Sequence, residues 1–164
     1  MSCQEVIEFN VLTDGAFLSS CPAVQRGSAY YAQYFTFFVP DHVATETPTG
    51  VLPTTVSLEA GEDTYLYLLA GPDMDSPLLQ EDDDGGAGVN SKIIRDLAPG
   101  YYTAECTTYS RGTTGAFTLL VSASVPQEPQ LIIPRAPDDM FQQEQEVTGR
   151  LSSLLLLNRV NPYL

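Results

Sequence analysis

The sequence predicts an all-β fold: an antiparallel β-sandwich of about eight strands, followed by a proline-rich arm and a C-terminal helix. Two observations predict the sandwich. Short segments rich in Val, Ile, Leu, Tyr, Phe and Thr alternate with a period of two, as strands do. Turn-forming Gly, Pro, Asp and Asn separate these segments at the spacing typical of sandwiches. A third observation predicts the arm: after Val125 the alternation ends and prolines accumulate.

The first predicted strand covers residues 5–12, with Ile7, Phe9 and Val11 on one face. Residues 13–27 contain TDG, SSCP and RG, so they are predicted to be mostly loop. Residues 30–39 are predicted as a strand rather than a helix because Tyr, Phe and Thr dominate them. The remaining strands are predicted at residues 51–59, 64–70, 78–80, 91–97, 101–109 and 115–124.

The phase of the alternation predicts which side chains point inward. In residues 30–39, Phe35, Phe37 and Val39 share one face, and Tyr34, Thr36 and Phe38 share the other. Later inward positions are Val56, Leu58, either Ile93 or Ile94, and Cys106, which is in phase with Tyr102 and Ala104. Cys106 is therefore predicted to be a buried free thiol.

The chain divides by composition into a sandwich domain over residues 1–125, a proline-rich linker over 126–137 and a helical tail over 138–164. Val147, Leu151, Leu154 and Leu155 form an apolar stripe at helical spacing in the tail. This stripe is predicted either to pack on its own domain or to bind a partner. No apolar run approaches the ~20 residues that span a bilayer, and no signal-peptide pattern opens the sequence, so membrane insertion is not expected.

The charge balance excludes two classes of partner. Acids outnumber Lys and Arg by 21 to 7, which gives a net charge of −14. Such a charge repels phosphate backbones and anionic lipids, so neither nucleic-acid nor membrane-surface binding is expected. The same charge suits an exported protein or a divalent-cation binder.

Cysteine spacing predicts one disulfide. Cys3 and Cys21 flank the first predicted strand, and a bond between them would close a loop of about 18 residues in an oxidising compartment. The alternative is two free thiols. Catalysis is not predicted: no nucleophile elbow, zincin, phosphate-binding or dinucleotide motif occurs, and the single histidine, His42, falls in a predicted loop.

The acidic turn EDDDGGAGVN at residues 81–90 is the candidate metal site. Calcium takes six to eight oxygen ligands, and Asp82, Asp83 and Asp84, with Asn90 on the returning arm and Asp63 at a nearby strand end, would supply them. The spacing is not that of an EF-hand. The alternative is a solvated acidic turn, partly neutralised by Lys92 and Arg95.

Tyr65, Tyr67, Tyr101 and Tyr109 are predicted to share an outer sheet face. Exposed aromatic residues on a sheet bind glycans or protein partners. Cross-strand pairing that stabilises the sheet is the commoner use and is the alternative.

Five segments together resemble the bacterial pre-peptidase C-terminal domain family: YAQYFTFFV, DTYLYLL, EDDDGG, NSKIIRDLAPGYYTAECTTY and TGAFTLLV. The resemblance runs from residue 3 to residue 124. It implies a jelly-roll-like accessory module of exported or surface proteins, non-catalytic, associated with secretion, localisation or substrate binding. Some related sandwich modules bind calcium. The arm and tail lie outside this resemblance.

The predicted function is therefore a non-enzymatic extracellular or surface-associated module that mediates binding, localisation or assembly with a protein or glycan partner, stabilised by Ca²⁺. The alternative is a structural subunit, a homo-oligomer in which residues 126–164 dock on a neighbouring copy to build a filament or lattice.

Overall fold

The computed structural model of the chain describes residues 2–43 and 47–123. Within them, nine β-strands follow one another: β1 Gln4–Val6, β2 Leu12–Ala23, β3 Gly27–Val39, β4 Leu52–Ala60, β5 Thr64–Leu69, β6 Leu78–Asp82, β7 Ser91–Leu97, β8 Gly100–Thr108 and β9 Gly115–Ala123. In this part of the chain no helix is long and apolar enough to cross a membrane. The predicted proline-rich linker and helical tail lie outside the described residues.

The strands form two layers that share β2. The hydrogen-bonded order is β6-β5-β8-β3-β2-β9-β4-β7, and β1 pairs with β3. All pairs are antiparallel except β1 with β3, which is parallel. We call β6-β5-β8-β3-β1 the first sheet and β2-β9-β4-β7 the second sheet. The first half of β2 pairs with β9 and its second half with β3, so β2 passes from one sheet to the other.

The core lies between the two sheets. Phe35 and Phe37 of the first sheet are fully buried, as are Leu58 and Leu119 of the second. The rings of Phe35 and Phe117 meet across the layers at 5.9 Å in an edge-to-face arrangement. This packing confirms the predicted all-β sandwich and the inward positions of Phe35, Phe37, Val39, Val56, Leu58 and Cys106; of the two candidate isoleucines, Ile93 is buried and Ile94 is 70% exposed.

The predicted loop over residues 13–27 is wrong, because most of it belongs to β2. Gly15 suggested a turn, but the ring of Phe117 fills the space that a side chain at position 15 would need, at 2.4 Å from an ideal Cβ. The register shifts between Leu18 and Pro22, which is where a strand tolerates proline and changes partner. The sequence alone reveals neither the Phe117 ring beside Gly15 nor the register shift before Pro22.

The predicted first strand is too long. It ends at Val6, and Asn10 then adopts a left-handed conformation with φ of 62°. The backbone N–H of Asn10 donates to the carbonyl of Val121 at 2.7 Å, and the Asn10 side-chain oxygen accepts from the N–H of Ala123 at 3.2 Å. Residues 7–11 therefore cross from β1 to β2 as a connection tied to the end of β9.

Candidate binding surface

A cluster of tyrosines around an arginine lies on the outward side of the first sheet. The tyrosine–arginine surface consists of Arg26, Tyr30, Tyr65, Tyr67, Tyr109 and Arg111. Arg26 Cζ lies 3.9 Å from the ring centroid of Tyr65, 4.8 Å from that of Tyr30 and 5.2 Å from that of Tyr109. All three distances are within the ~6 Å over which a cation is attracted to an aromatic face.

Strand alternation explains why β5 contributes two rings. Leu66 and Leu68 fill the inner face, so Tyr65 and Tyr67 point outward, and their ring centroids stack 4.9 Å apart. Burial raises the pKa of Tyr67 to about 12, so its hydroxyl keeps its proton at physiological pH.

Two further residues extend the surface at its exposed edge. Tyr109, which directly follows β8, is 51% exposed. Arg111 Nε donates to the hydroxyl of Tyr30 at 3.4 Å, and this hydrogen bond lowers the pKa of Tyr30. The turn before β3 and the turn after β8 thus each supply one arginine to the same aromatic group.

Acidic residues surround this group. Burial and then the charge of Glu81 raise the pKa of Tyr65. Burial, Asp84 and Asp83 raise the pKa of Asp63, and Arg26 acts in the opposite direction. The positive charge of Arg26 is therefore set among acids from two segments of the chain, the turn before β5 and residues 81–84.

Glu105 of β8 lies beneath the same surface and is completely buried. Its two carboxylate oxygens accept from the backbone N–H of Gln25 at 3.3 and 3.2 Å. Burial raises the pKa of Glu105 to about 7, against the lowering effect of the hydrogen bond from the backbone N–H of Gln25. The Tyr34 hydroxyl beside it accepts from the N–H of Val24 at 2.9 Å and donates its proton to the carbonyl of Pro22 at 2.8 Å.

Two connections cover the middle of this outward face. The turn between β2 and β3 contributes the contacts to Glu105 and Tyr34 just described. The connection between β5 and β6 accepts hydrogen bonds from buried threonines: Thr103 Oγ1 donates to the carbonyl of Gly71 at 2.8 Å and Thr36 Oγ1 to that of Pro72 at 3.2 Å. Met74 of this connection packs on a small cluster of Ala23, Ala32 and Tyr34. An open pocket of about 390 Å³ lies beside it, lined by Gln4, Asp73, Met74, Asp75 and Ser76.

The predicted tyrosine set divides into two. Tyr65, Tyr67 and Tyr109 come together around Arg26. Tyr101 shares their sheet face but lies at the other end of β8, about 26 Å away along the strand. Its ring packs at 4.7 Å on that of Phe38, its register partner on β3. Tyr101 therefore has the predicted outer face in common with the other three tyrosines but lies apart from the cluster around Arg26.

The acidic turn uses several of its predicted ligands to bind its own backbone. Asp82 Oδ2 accepts from the N–H groups of Gly85 and Lys92, each at 2.8 Å. Asp83 Oδ1 accepts from the N–H of Asp84 at 2.9 Å, and Asn90 Oδ1 accepts from the N–H of Ala60 at 3.0 Å.

Asp63 differs from these residues. Its Oδ1 is shielded from solvent and has no hydrogen-bond partner among the described residues. Across residues 2–43 and 47–123, no three or more His, Cys, Asp or Glu side chains are grouped to hold a metal ion. Calcium binding by Asp63, Asp82, Asp83, Asp84 and Asn90 stays a prediction.

The disulfide prediction is confirmed. Cys3 and Cys21 are joined, with Cα atoms 5.6 Å apart, and Cys106 is a buried free thiol. The bond ties the start of the chain to the second half of β2, next to the cluster of Ala23, Ala32 and Tyr34. The predicted partner-binding stripe of Val147, Leu151, Leu154 and Leu155 lies outside the described residues.

Sequence reasoning missed Arg26, Tyr30, Arg111 and Glu105 as members of this site. A signal existed for Glu105, which occupies an outward position of the YYTAECTTY alternation between two threonines. No sequence signal pointed to Arg26 or Arg111, because both lie in turns whose position over the sheet depends on distant strands.

Comparison with known proteins identifies the type of sandwich fold. No family model matches the sequence, and no curated protein sequence matches it. Among solved structures, the chain is similar to the pre-peptidase C-terminal domain of a collagenase from Bacillus anthracis, with a TM-score of 0.50 and 17% identity over 73% of this chain and 94% of that one. It is also similar to PliG, a periplasmic inhibitor of g-type lysozyme from Aeromonas hydrophila, with a TM-score of 0.49 and 12% identity over 73% of this chain and 95% of that one. The first similarity shows that this chain has the fold of pre-peptidase C-terminal domains.

Proposed function

We propose that this chain is a non-catalytic, extracellular or surface-associated binding module, and that its tyrosine–arginine surface contacts a positively charged protein partner. The observation that carries the proposal is the group of Tyr30, Tyr65 and Tyr109 around Arg26. Tyrosine and arginine are enriched at protein interfaces because they combine large contact area with polar groups. The disulfide between Cys3 and Cys21 supports an oxidising compartment.

Charge favours a basic partner over an acidic one. The net charge of the chain is −14. Locally, Glu81 and Asp83 act on Tyr65, and Asp83 and Asp84 act on Asp63. An acidic ligand would meet these carboxylates, whereas Lys and Arg side chains of a partner would be attracted to them. Electrostatic attraction of this kind raises the association rate and weakens with salt.

The experiment compares two equally exposed tyrosines at opposite ends of β8. Tyr109 is 51% exposed and belongs to the surface, and Tyr101 is 53% exposed and lies at the far end of β8. Arrays of defined basic, neutral and acidic peptides, and of glycans, would be probed with the full chain and with Tyr109→Ala and Tyr101→Ala. We expect the basic peptides to bind, the Tyr109→Ala variant to bind them about tenfold more weakly, as for loss of an interface anchor of about 1.4 kcal/mol, and Tyr101→Ala to bind as the parent does.

Equal loss in both variants, or binding confined to acidic peptides or glycans, would contradict the proposal. A structural subunit that assembles through residues 126–164 is the second candidate, and size-exclusion chromatography with and without those residues tests it. An oligomer that disappears with the tail would favour assembly over the binding module.

A further inference from the structure

Glu105 connects the sheet to the turn that carries Arg26. Within the part of the chain that the structure describes, it is the one fully buried carboxylate. Its hydrogen bonds to the N–H of Gln25 hold the backbone immediately before Arg26. The guanidinium of Arg26 then reaches over the sheet to the rings of Tyr65, Tyr30 and Tyr109, and its Nη2 donates to the carbonyl of Tyr109 at 3.2 Å.

One backbone N–H, rather than a positive charge, donates to this carboxylate: that of Gln25. The hydroxyl of Tyr34 also lies beside Glu105, but its single proton goes to the carbonyl of Pro22. The titratable and charged side chains on the elements around it are Tyr34 on β3, Tyr67 on β5, Cys106 on its own strand, Arg26 on the covering turn and Asp75 on the β5–β6 connection. A carboxylate in such a site carries the cost of desolvation without an ion pair to offset it.

We propose that Glu105 is a positioning residue for the binding surface: in its neutral form it lies stably under the turn of Val24, Gln25 and Arg26, and its ionisation loosens that turn and lets Arg26 leave the tyrosine rings. The inference rests on the proposed function only in treating the tyrosine–arginine surface as the place where a partner binds. Gly27, with φ of 97°, ends the turn at a position where the backbone is least restricted.

The direction of the effect follows from proton linkage. Under the closed turn the pKa of Glu105 is raised from 4.5 to about 7, whereas an opened turn would hydrate the carboxylate and return its pKa toward 4.5. The closed form therefore binds a proton more tightly than the open form, and rising pH favours opening. The pKa of Glu105 differs by about 2.5 between the closed and the open turn. This difference increases the ratio of open to closed turns by about 300-fold between acidic and neutral pH.

The test uses NMR of the full-length protein from about pH 5 to about pH 8.5, because this range brackets the raised pKa. The Arg26 Nε–H resonance reports stacking on the tyrosine rings, and the Gln25 amide reports its bond to Glu105. In the parent both should change with a common midpoint near pH 7. In Glu105→Gln, which keeps an acceptor but cannot ionise, both should stay at their low-pH positions.

Glu81→Gln is the matched control. Tyr67 pairs with Glu105 on one side and with Glu81 on the other, but Glu81 is exposed. This variant should keep the transition of the parent. Equal transitions in the parent and Glu105→Gln would overturn the inference.

The parent by itself provides a measurement that needs no folded variant. A Glu105 carboxyl carbon that titrates near the ordinary value of 4.5 would also overturn the inference. A transition near pH 7 together with peptide binding that ignores Tyr109→Ala would remove the proposed function and leave this inference standing.

Discussion

Both faces of the first sheet contain buried side chains, but these side chains differ in chemistry. The inner face consists of apolar side chains, including Phe35, Phe37 and Leu66, packed against the second sheet. The outer face is buried at Tyr34, Thr36, Thr103 and Glu105, under two connections that hydrogen-bond to it. Hydrophobic packing is non-directional and tolerates many arrangements, whereas a buried polar face needs a specific partner for each group.

The comparison teaches where a binding site can be placed on a sandwich. An inner face that is filled with Phe and Leu leaves no room for a ligand. The outer face holds its cover in place by hydrogen bonds, so the position of Arg26 and of the tyrosine rings around it depends on a few polar contacts. Stability and binding are therefore expected to respond to different substitutions.

The largest expected effect is on the inner face. Phe37→Ala removes a fully buried ring that contacts Phe9 and Tyr102, and should lower the free energy of unfolding by about 3–5 kcal/mol. Phe38→Ala, one residue further along β3, removes a ring that is 40% exposed and should cost about 1 kcal/mol. Urea unfolding of both variants measures the difference; equal losses would mean that the two faces do not differ as described.

The outer face should respond to pH through Glu105. Because its folded pKa is raised to about 7 from 4.5, the folded state keeps a proton that the unfolded state has lost, so stability falls as pH rises between these values. The free energy of unfolding should fall by about 3 kcal/mol in total; this loss is complete above pH 7 and absent below the unfolded pKa of 4.5. Thermal and urea unfolding of the parent and Glu105→Gln across this range should show a pH-dependent gap between the two proteins. A constant gap would contradict the assignment.

The disulfide lies on the outer side of the first sheet and should raise the free energy of unfolding by a similar amount. Replacing Cys3 and Cys21 together by serine removes a cross-link over a separation of 18 residues and should cost about 3 kcal/mol. Reductant should lower the melting temperature of the parent and leave that of the double variant unchanged. A parent that is insensitive to reductant would show that the bond does not restrain the unfolded chain.

The smallest expected effect belongs to the acidic turn between β6 and β7. Calcium at tenfold excess over its dissociation constant, in the millimolar range typical of extracellular modules, would stabilise the fold by about 1.4 kcal/mol. Calorimetry and melting with Ca²⁺, with Mg²⁺ as the control, measure it. Neither heat nor a shift in melting temperature at millimolar Ca²⁺ would remove Asp63, Asp82, Asp83, Asp84 and Asn90 as ligands.

Much of the sandwich could be predicted because its cause is local. Alternation in residues 91–97 and 115–124 places strands within one residue of their observed bounds, and the cysteine spacing predicts the disulfide. The strand at Leu12–Ala23 could not be predicted in the same way. Its glycine makes room for Phe117, which is distant in sequence, and its proline marks the change of partner strand.

The sequence by itself determined most of the inner face, the acidic charge and the position of the turns after residue 60, since these depend on residue type and on a period of two. Only the tertiary structure decided that the outer face is covered and that Glu105 lies beneath Gln25, 80 residues away in the chain. The tertiary structure likewise brought Arg26 among tyrosines from β3, β5 and the end of β8. Burial of an outward side chain depends on which distant connection folds over it, and such long-range contacts leave no periodic trace in the sequence.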